Sequence, residues 1–434
     1  MSPKSARHIP SLLTLLLTAA LLPLASLTAQ AQGAYQSGVY RNLFAESGHT
    51  QAEIDARIES TFQQLFHGDA KTQAVVFADG SNANGPLMYL SDVANHDVRT
   101  EGMSYGMMVA VELGKKAEFD ALWNWAMTHM YIADPKHPAY GYFAWSCQTN
   151  GVANEETPAP DGEEYFAMSL LFAANRWPGG EGIYDYRAQA WRLLRAMRHR
   201  TVISGATNHG PRTVGAEIDE AHGMILFVPG VMPHPFTDPS YHLPAFYELW
   251  ALWGPPEDRA FWRQAAETSR EFFVKTAHPE TGLSPVYAEF DGAPHASNFD
   301  QSAAFGFDAW RVAINWAVDW SWWGRDARER ELSDRIQRFF ESKGIDSYGG
   351  LYTLDGKTFR AKNGSTMEDH STGLVGANAV AGLAATDKAR ARRFAEALWR
   401  TPVPTGPYRY YDGMLYLMSM MHAGGRFRIL APAQ

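Results

Sequence analysis

The sequence of 434 residues has very little cysteine and no excess of positive charge. Its single cysteine, Cys147, has no partner within the chain, so an intramolecular disulfide cannot hold the fold. Lys and Arg number 38 against 47 Asp and Glu, which argues against a nucleic-acid carrier. Hydrophobic residues make up 46% of the chain, far from the composition of a disordered protein. We therefore expect a large hydrophobic core, with Cys147 buried as a small apolar residue and not used as a nucleophile.

The sequence also lacks any run apolar enough to cross a bilayer, except at its N-terminus. There, basic residues precede the apolar run 12–27, and the small-x-small triplet Ala29-Gln30-Ala31 follows it. This order predicts a signal peptide over residues 1–31. An uncleaved membrane anchor is the weaker alternative, because the run barely reaches the length of a spanning helix. We expect the mature protein to be exported, either to the periplasm or to the medium, and to have no membrane contact after cleavage.

Several chemical motifs are missing as well. The sequence contains no His-Glu-x-x-His, no paired cysteines, no calcium loop and no phosphate-binding loop. We therefore expect neither a metal nor a cofactor, although a metal site assembled from distant residues stays open. The string Gly102-Met103-Ser104-Tyr105-Gly106 fits the serine-hydrolase pattern, but it opens a predicted helix and does not follow a strand. It is therefore a poor nucleophile elbow.

What the sequence does have is helical periodicity, which dominates from about Thr50 onward and forms pairs of predicted helices. In each pair the first helix is almost uncharged and the second carries a charged stripe, which is typical of an inner helix packed against an outer one. The first helices are predicted to begin near Ser104, Glu164, Tyr241, Ala304, Ser371 and Tyr411. Six such hairpins predict an all-α toroid in one domain, residues 32–434, with an open superhelical stack as the alternative. The better strand candidates are 74–77 and 360–362.

Three acidic residues are predicted near the starts of inner helices: Glu101, Asp161 and Asp308. Helix-start chemistry is the alternative for the first two acids. Thr100 would cap the first inner helix, and Asp161 has capping-box spacing with Glu164. A carboxylate at Asp308, among aromatic residues, is costly unless it faces a cavity or has a partner. The axis of a toroid supplies such a cavity.

Aromatic residues are in excess, at 13% of the chain. Most of them are expected in the core. Their flat apolar faces can also pack against the C–H faces of pyranose rings, while nearby carboxylates bind hydroxyl groups. Acids and aromatics at the mouth of an exported α/α toroid together predict a carbohydrate-binding cleft.

Five strings resemble glycoside hydrolase family 8, and within it most closely the reducing-end xylose-releasing exo-oligoxylanases. They are DVRTEGMSYGMM at 97–108, GYFAWSC at 141–147, PAPDGEEYF at 158–166, DPSYHLP at 238–244 and YYD at 410–412. The resemblance runs from about Tyr40 to Ile429. It implies an (α/α)6 barrel that hydrolyses β-1,4-linked xylo-oligosaccharides with inversion. We expect a monomer that binds xylo-oligosaccharides.

The resemblance also implies roles for single residues. Glu101 matches the general acid of the family, and Asp308 matches the general base. Asp161 matches the acid that holds the sugar at the cleavage point in its distorted form, and Tyr241 matches a tyrosine near the attacking water. The residues expected to bind substrate are Arg99, Tyr105, Trp145, Arg311, His370, Tyr410 and Tyr411.

These roles agree with what inversion requires, which is one protonated and one ionised carboxyl group roughly 6.5–9.5 Å apart. Two carboxylates on separate inner helices can meet this distance across a cleft. Like-charge repulsion from Asp161 is expected to raise the pKa of Glu101, and Arg311 is expected to help Asp308 stay charged.

End specificity is the least determined feature. In the exo-acting members a loop with Leu-His-Pro before the fifth inner helix resembles a plug, and the corresponding string here is Asp369-His370-Ser371. His370 either contacts substrate or is a helix N-terminal residue without such contact. Exo action is the primary expectation. An endo-acting β-1,4-xylanase or glucanase and a non-catalytic periplasmic oligosaccharide-binding protein are the alternatives, and the pair of Glu101 and Asp308 argues against the last, because binding needs no acid/base pair.

Overall fold

The computed structural model describes Met1 and residues 32–364, 366–367 and 369–432. Apart from Met1, the predicted signal peptide lies outside the described residues. Gln32–Gln434 form one compact unit. In the described part of the chain, no helix is long and apolar enough to cross a membrane.

The described residues form fourteen α-helices. They are α1 (Ala34–Ser37), α2 (Leu43–Glu46), α3 (Gln51–His67), α4 (Thr100–Leu113), α5 (Lys116–Trp125), α6 (Pro160–Arg176), α7 (Tyr186–His199), α8 (Pro244–Trp253), α9 (Arg259–Thr276), α10 (Trp310–Trp323), α11 (Arg328–Lys343), α12 (Thr372–Ala381), α13 (Lys388–Arg400) and α14 (Arg409–Ala423). A π-helical turn, Ala126–Met130, follows α5, and 3₁₀ turns cover Gly182–Tyr184, Pro239–Tyr241, Pro256–Asp258 and Phe307–Ala309.

Six of these helices form a closed inner ring. Each of α4, α6, α8, α10, α12 and α14 contacts the next one, and α14 returns to contact α4. The outer helices α5, α7, α9, α11 and α13 each pack on the inner helix that precedes them, and α3 packs on α14. The fold is therefore an (α/α)6 barrel, as predicted, and the open superhelical stack is wrong. The sixth outer helix comes from the N-terminal side of the chain.

Residue composition explains which helices lie inside. Nearly every residue of α4 and of α8 is buried, because both are almost free of charge, whereas α3 buries one apolar face. The start of α3 is fixed by a capping box in which Thr50 and Glu53 each bond the backbone of the other. Small residues let inner helices approach: a Cβ at Gly376 of α12 would lie 2.6 Å from Ser419 Oγ of α14.

Short strands connect the helices around one face of the barrel. The chain forms an antiparallel sheet of β1 (Val76–Asn82), β2 (Gly85–Asp92), β3 (Asp97–Arg99), β4 (Ser146–Gln148) and β5 (Ala153–Glu155), and two hairpins, β6 (Ile203–Thr207) with β7 (Gly210–Val214) and β8 (Ile218–Asp219) with β9 (Met224–Ile225). The predicted strand at 74–77 overlaps β1. The predicted strand at 360–362 is wrong, because that segment turns between Ala361 and Gly364 and its Lys362 amide donates to Asp300.

Two inner helices begin later than predicted. The fourth starts at Trp310 and not near Ala304, because Phe305 pairs with Tyr352 in an extended bridge and Phe307 takes a left-handed φ of 43°. The third starts at Pro244 and not at Tyr241. In both cases a 3₁₀ turn precedes the helix and carries a predicted catalytic residue, Asp308 in one turn and Tyr241 in the other.

Candidate active site

The ends of the inner helices that hold the predicted acids border a cavity of about 1210 Å³. Glu101 lies in the first turn of α4 and Asp161 in the first turn of α6, while Asp308 lies in the turn before α10. All three carboxylates line this cavity, together with Trp145 and Tyr241. The closed ring therefore brings together acids that are up to about two hundred residues apart in the sequence.

Arg311, the second residue of α10, joins the three acids. Its Nη1 lies 2.9 Å from Glu101 Oε2 and 2.9 Å from Asp161 Oδ2, and its Nη2 lies 3.0 Å from Asp308 Oδ1. The predicted pairing of Arg311 with Asp308 is confirmed, and Arg311 binds the other two acids as well. Asp308 is the most exposed of the three, with 31% of its side chain accessible, against 14% for Glu101 and 8% for Asp161.

Two neutral oxygens also accept from the guanidinium group, whereas its buried Nε has no hydrogen-bond partner among the described residues. Arg311 Nη1 donates to Tyr105 Oη at 2.5 Å, and Nη2 donates to Ser240 Oγ at 3.0 Å. The Arg311 guanidinium also lies 5.8 Å from the centre of the Tyr241 ring. Arg311 is thus fixed from α4, α6 and the turn before α8, so it holds the carboxylates of three chain segments in one arrangement.

Two glycines allow the close approach of these groups. A Cβ at Gly102 would lie 2.6 Å from the Tyr410 ring, which explains how Tyr410 Oη can donate to Glu101 Oε1 at 2.7 Å. A Cβ at Gly162 would lie 2.4 Å from the side chain of Thr100. Side chains at either position would push apart the helix ends that present the acids.

Helix capping does not explain why acidic residues occupy these helix starts. Arg99 is the N-cap of α4, and Thr100 is already helical, with a buried hydroxyl that has no hydrogen-bond partner in the described part of the chain. The N-cap of α6 is Ala159, so the capping-box interpretation of Asp161 is wrong. Glu164 accepts a hydrogen bond from Tyr247 at 2.6 Å and so does not reach back to the start of its own helix.

The electrostatic setting favours a protonated Glu101. The pKa of Glu101 is raised to about 7: burial is the largest cause, the positive charge of Arg311 opposes it, and the negative charges of Asp161 and Asp308 add to it. Tyr410 acts in the lowering direction, because its hydroxyl donates to the carboxylate. The predicted repulsion from Asp161 is therefore present, but burial is the larger cause. Burial also raises the pKa of Asp161.

The rest of the cavity wall combines aromatic, apolar and polar residues. Arg99 pairs with Asp92 and Asp97 at 3.1 and 3.2 Å, and its guanidinium lies 5.8 Å from the centre of the Trp145 ring. On another part of the wall, the ring of Phe227 stacks on Tyr241, with centroids 5.8 Å apart, and contacts Tyr287 at 4.3 Å. Arg99 and Trp145 were predicted from the sequence, whereas Phe227 and Tyr287 were missed.

These features point to a glycosidase, and comparison with known families decides the matter. Residues 82–425 match the family described as Glycosyl hydrolases family 8. The chain belongs to glycosyl hydrolase family 8.

Family 8 relatives match almost the whole chain. The reducing end xylose-releasing exo-oligoxylanase of Halalkalibacterium halodurans is 43% identical over 402 residues, which cover 92% of this chain and 97% of that protein. A xylanase of Teredinibacter turnerae, solved as a catalytic mutant with xylohexaose, is 49% identical with a TM-score of 0.89, over 92% of this chain and 100% of that one. Rex8A of Paenibacillus barcinonensis, solved with xylose, is 41% identical with a TM-score of 0.83, over the same shares.

The remaining predicted substrate-binding residues of this family 8 chain do not line the large cavity. Tyr105 lines a separate small cavity together with Arg311, to which its hydroxyl is hydrogen-bonded. Tyr410 is buried against Glu101, and Tyr411 donates its hydroxyl to the Phe307 carbonyl at 3.2 Å. His370 donates from Nδ1 to the Tyr348 carbonyl at 2.9 Å.

Other chemistries find little support in this family 8 chain. Ser104 is fully buried and donates to the Glu101 carbonyl within α4, so it is no exposed nucleophile. Cys147 is buried in β4, and burial raises the pKa of its thiol to about 12. Among the described residues, no group of three or more His, Cys, Asp or Glu is arranged to hold a metal ion.

Proposed function

We propose that this protein hydrolyses β-1,4-linked xylo-oligosaccharides with inversion and releases xylose from the reducing end. The observation that carries the proposal is the arrangement of Glu101, Asp161 and Asp308 around Arg311, at the wall of a large cavity that aromatic residues also line. The three similar proteins named reducing-end xylose-releasing exo-oligoxylanases, at 38–43% identity, support the substrate.

Glu101 is the general acid. Its pKa of about 7 keeps much of it protonated near neutral pH, so it can give a proton to the glycosidic oxygen as the bond breaks. Asp308 is the general base and takes a proton from the attacking water. Because Glu101 and Asp308 bind the two terminal nitrogens of one guanidinium group, their nearest oxygens lie within about 8 Å of each other, which is compatible with inversion.

Asp161 and Tyr241 act on the sugar at the cleavage point. Arg311 binds Asp161 Oδ2, and the Gly162 amide donates to Asp161 Oδ1 at 2.9 Å. A carboxylate oxygen has a second lone pair, so Asp161 can also accept hydrogen bonds from sugar hydroxyls in the cavity that it lines. Tyr241 lines the same cavity beside Arg311. After the reaction Glu101 has lost a proton and Asp308 has gained one. The exposure of Asp308 lets solvent return both groups to their starting states.

Exo action is supported by the three similar proteins that are named exo-oligoxylanases. The cavity lining comes from residues within the segments 99–101, 145–161 and 204–241, with Tyr287 and Asp308, and the described residues of the 348–371 segment contribute nothing to it.

Hydrolysis of xylotriose followed by NMR tests this proposal. We expect xylose and xylobiose as products, with the new anomeric centre appearing first in the α configuration. Reduced xylohexaose is the matched control, because an enzyme that recognises the reducing end should leave the alditol intact. Retention of the β configuration, or cleavage of the alditol at the rate of the free sugar, contradicts the proposal.

Endo-acting hydrolysis of xylan is the second candidate function. Asp369 and Ser371 stand where a Leu and a Pro flank the histidine in the exo-acting pattern, and the Teredinibacter turnerae structure at 49% identity is described as a xylanase. Viscosity of polymeric xylan distinguishes the two functions. An endo-acting enzyme lowers it quickly and produces mid-length products, whereas exo action releases xylose with little change in viscosity.

We also propose that the protein is exported as a monomer after loss of residues 1–31, to the periplasm or the medium. The apolar run at 12–27 and the Ala-x-Ala triplet after it support export. N-terminal sequencing of the exported protein should begin at Gln32, and light scattering should give the mass of one chain. An intact N-terminus in the membrane fraction contradicts the cleavage.

A further inference from the structure

The turn that carries Tyr241, residues 237–242, is tied to the catalytic groups from the α10 side. Asn315 donates to the Ser240 carbonyl at 2.7 Å, and Arg311 Nη2 donates to Ser240 Oγ at 3.0 Å. The same Nη2 atom binds Asp308 Oδ1 at 3.0 Å. The position of the Asp308 carboxylate therefore depends on the nitrogen that Ser240 also holds.

The far side of this turn is fixed by uncharged contacts. Thr237 and Ala288 exchange two backbone hydrogen bonds, at 3.0 and 2.9 Å. His242 is fully buried between Thr237 Oγ1 and Ser269 Oγ, at 3.0 Å from each. Burial lowers the pKa of His242 to about 3, so the imidazole is neutral at physiological pH.

Asp238 lies inside the turn and has no role in the mechanism derived above. Its side chain is fully buried, and its Oδ1 caps the turn by accepting from the Ser240 amide at 2.7 Å. Its Oδ2 has no hydrogen-bond partner among the described residues. Burial raises the pKa of Asp238, and the charge of Asp308 adds to this while Arg311 opposes it. A neutral carboxyl group is therefore favoured at this position.

We propose that Asp238 is a positioning residue for the general base. It fixes the amide of Ser240, the hydroxyl of Ser240 fixes Arg311 Nη2, and Nη2 fixes Asp308. Asp238 does not line the cavity, so it touches neither substrate nor water there. Asp238 acts by accepting the hydrogen bond of the Ser240 amide and not through a negative charge. This inference rests on the proposed role of Asp308.

Two variants separate capping from charge. Asp238→Asn keeps an oxygen for the Ser240 amide and resembles the neutral carboxyl group, so we expect kcat within about threefold of wild type. Asp238→Ala removes the cap, and we expect kcat to fall about 100-fold with KM little changed, because small displacements of a catalytic group cost this much. Asp185→Ala, which removes the exposed N-cap of outer helix α7, is the matched control and should leave kcat unchanged.

Ser240→Ala provides a second test of the same contacts if Asp238→Ala does not fold. It removes the hydroxyl that binds Arg311 but keeps the amide that Asp238 caps, and we expect a kcat loss of about tenfold. All rates are measured on whichever β-glycan the wild-type enzyme cleaves fastest, so a wrong substrate assignment leaves this test intact. Equal losses in Asp238→Asn and Asp238→Ala, or full activity in Ser240→Ala, overturn the proposal.

Discussion

Helix α10 takes part in two buried clusters of charge that are built alike and behave differently. Near its start, Arg311 binds Glu101, Asp161 and Asp308. Two turns later, Asp319 belongs to a second cluster around a single arginine of α9. Each cluster gathers three carboxylates on one guanidinium group.

The second cluster joins helices α8, α9 and α10 inside the fold. Arg270 binds Asp319 with two parallel hydrogen bonds, at 2.7 and 2.9 Å, and also pairs with Glu248 at 3.0 Å and Glu267 at 2.9 Å. Arg270 is 1% exposed and Asp319 is fully buried. Burial raises the pKa of Glu329, and the charge of the neighbouring Asp319 adds to this. Nothing in this cluster faces the large cavity.

The two clusters differ in how the arginine binds its carboxylates. Arg270 uses a bidentate pair, which gives the strongest fixed contact with one carboxylate. Arg311 divides its two terminal nitrogens among three carboxylates, so each acid keeps an oxygen for other partners. We infer that these residue types stabilise the fold where the arginine binds one carboxylate through two nitrogens. They serve chemistry where the arginine binds each acid through a single nitrogen beside a cavity.

Removing a single acid gives the largest expected contrast. Glu101→Gln and Asp308→Asn should each lower kcat by about 10² to 10⁴-fold, because general acid or base catalysis is lost. Their thermal stability should stay close to wild type. Glu248→Gln is the matched variant in the Arg270 cluster. It should leave kcat unchanged and lower the melting temperature, as measured by steady-state kinetics and circular dichroism.

The opposite result has a clear meaning. If Glu101→Gln or Asp308→Asn retained wild-type kcat, that residue would be removed from the mechanism. If Glu248→Gln lost as much activity as Glu101→Gln, then burial of charge alone, and not position at the cavity, would decide which acids are needed.

The barrel was predictable because long helices repeat their apolar pattern over many turns. The strands were mostly missed, since β3 and β4 have only three residues each and show no alternation. The helix expected from Ala304 failed because apolar composition does not reveal the left-handed φ of Phe307, which ends the extended segment. Local sequence therefore indicates the layers but not the turns that present the acids.

The site was predictable where the residues lie in characteristic strings, and less so elsewhere. Asp161 is one of three acids within four residues, and only tertiary contacts show that Glu163 accepts from the Phe143 amide and Glu164 from Tyr247. Arg311 was expected to pair with Asp308 alone, because i+3 spacing is the only contact that sequence displays. Phe227 was missed because one aromatic residue in a loop carries no periodic signal.

Replacing each arginine gives the next largest contrast. Arg270→Met leaves the buried Asp319 without the arginine that binds it, while Arg325 still pairs with Glu248 at 2.7 Å, and we expect the free energy of unfolding to fall by about 3–5 kcal/mol. Arg311→Met should cost less stability, because Glu101 and Asp308 border the cavity, where water can solvate them, but it should abolish most activity. Denaturant unfolding and kinetics measure both effects.

Arg195→Met is the control for these two variants. Arg195 pairs with Glu257 on the surface, with both side chains nearly half exposed, so its loss should leave the free energy of unfolding close to that of the wild type. A larger loss of stability in Arg311→Met than in Arg270→Met contradicts the distinction between the clusters.

The smallest expected effect concerns pH and the hydroxyl that Tyr410 brings to the Arg311 cluster. Glu101 must be protonated to act as an acid, so activity should decline as the pH rises through about 7. Tyr410 donates to the ionised carboxylate and thereby lowers the pKa of Glu101. Tyr410→Phe removes this donor, so the alkaline decline of kcat should move to higher pH, by less than about one unit.

Tyr416→Phe is the control. It removes a hydroxyl that accepts from Arg57 away from the cavity, so it should not move the alkaline decline of kcat. A shift of the Tyr410→Phe profile to lower pH contradicts the assignment of Glu101 as the acid.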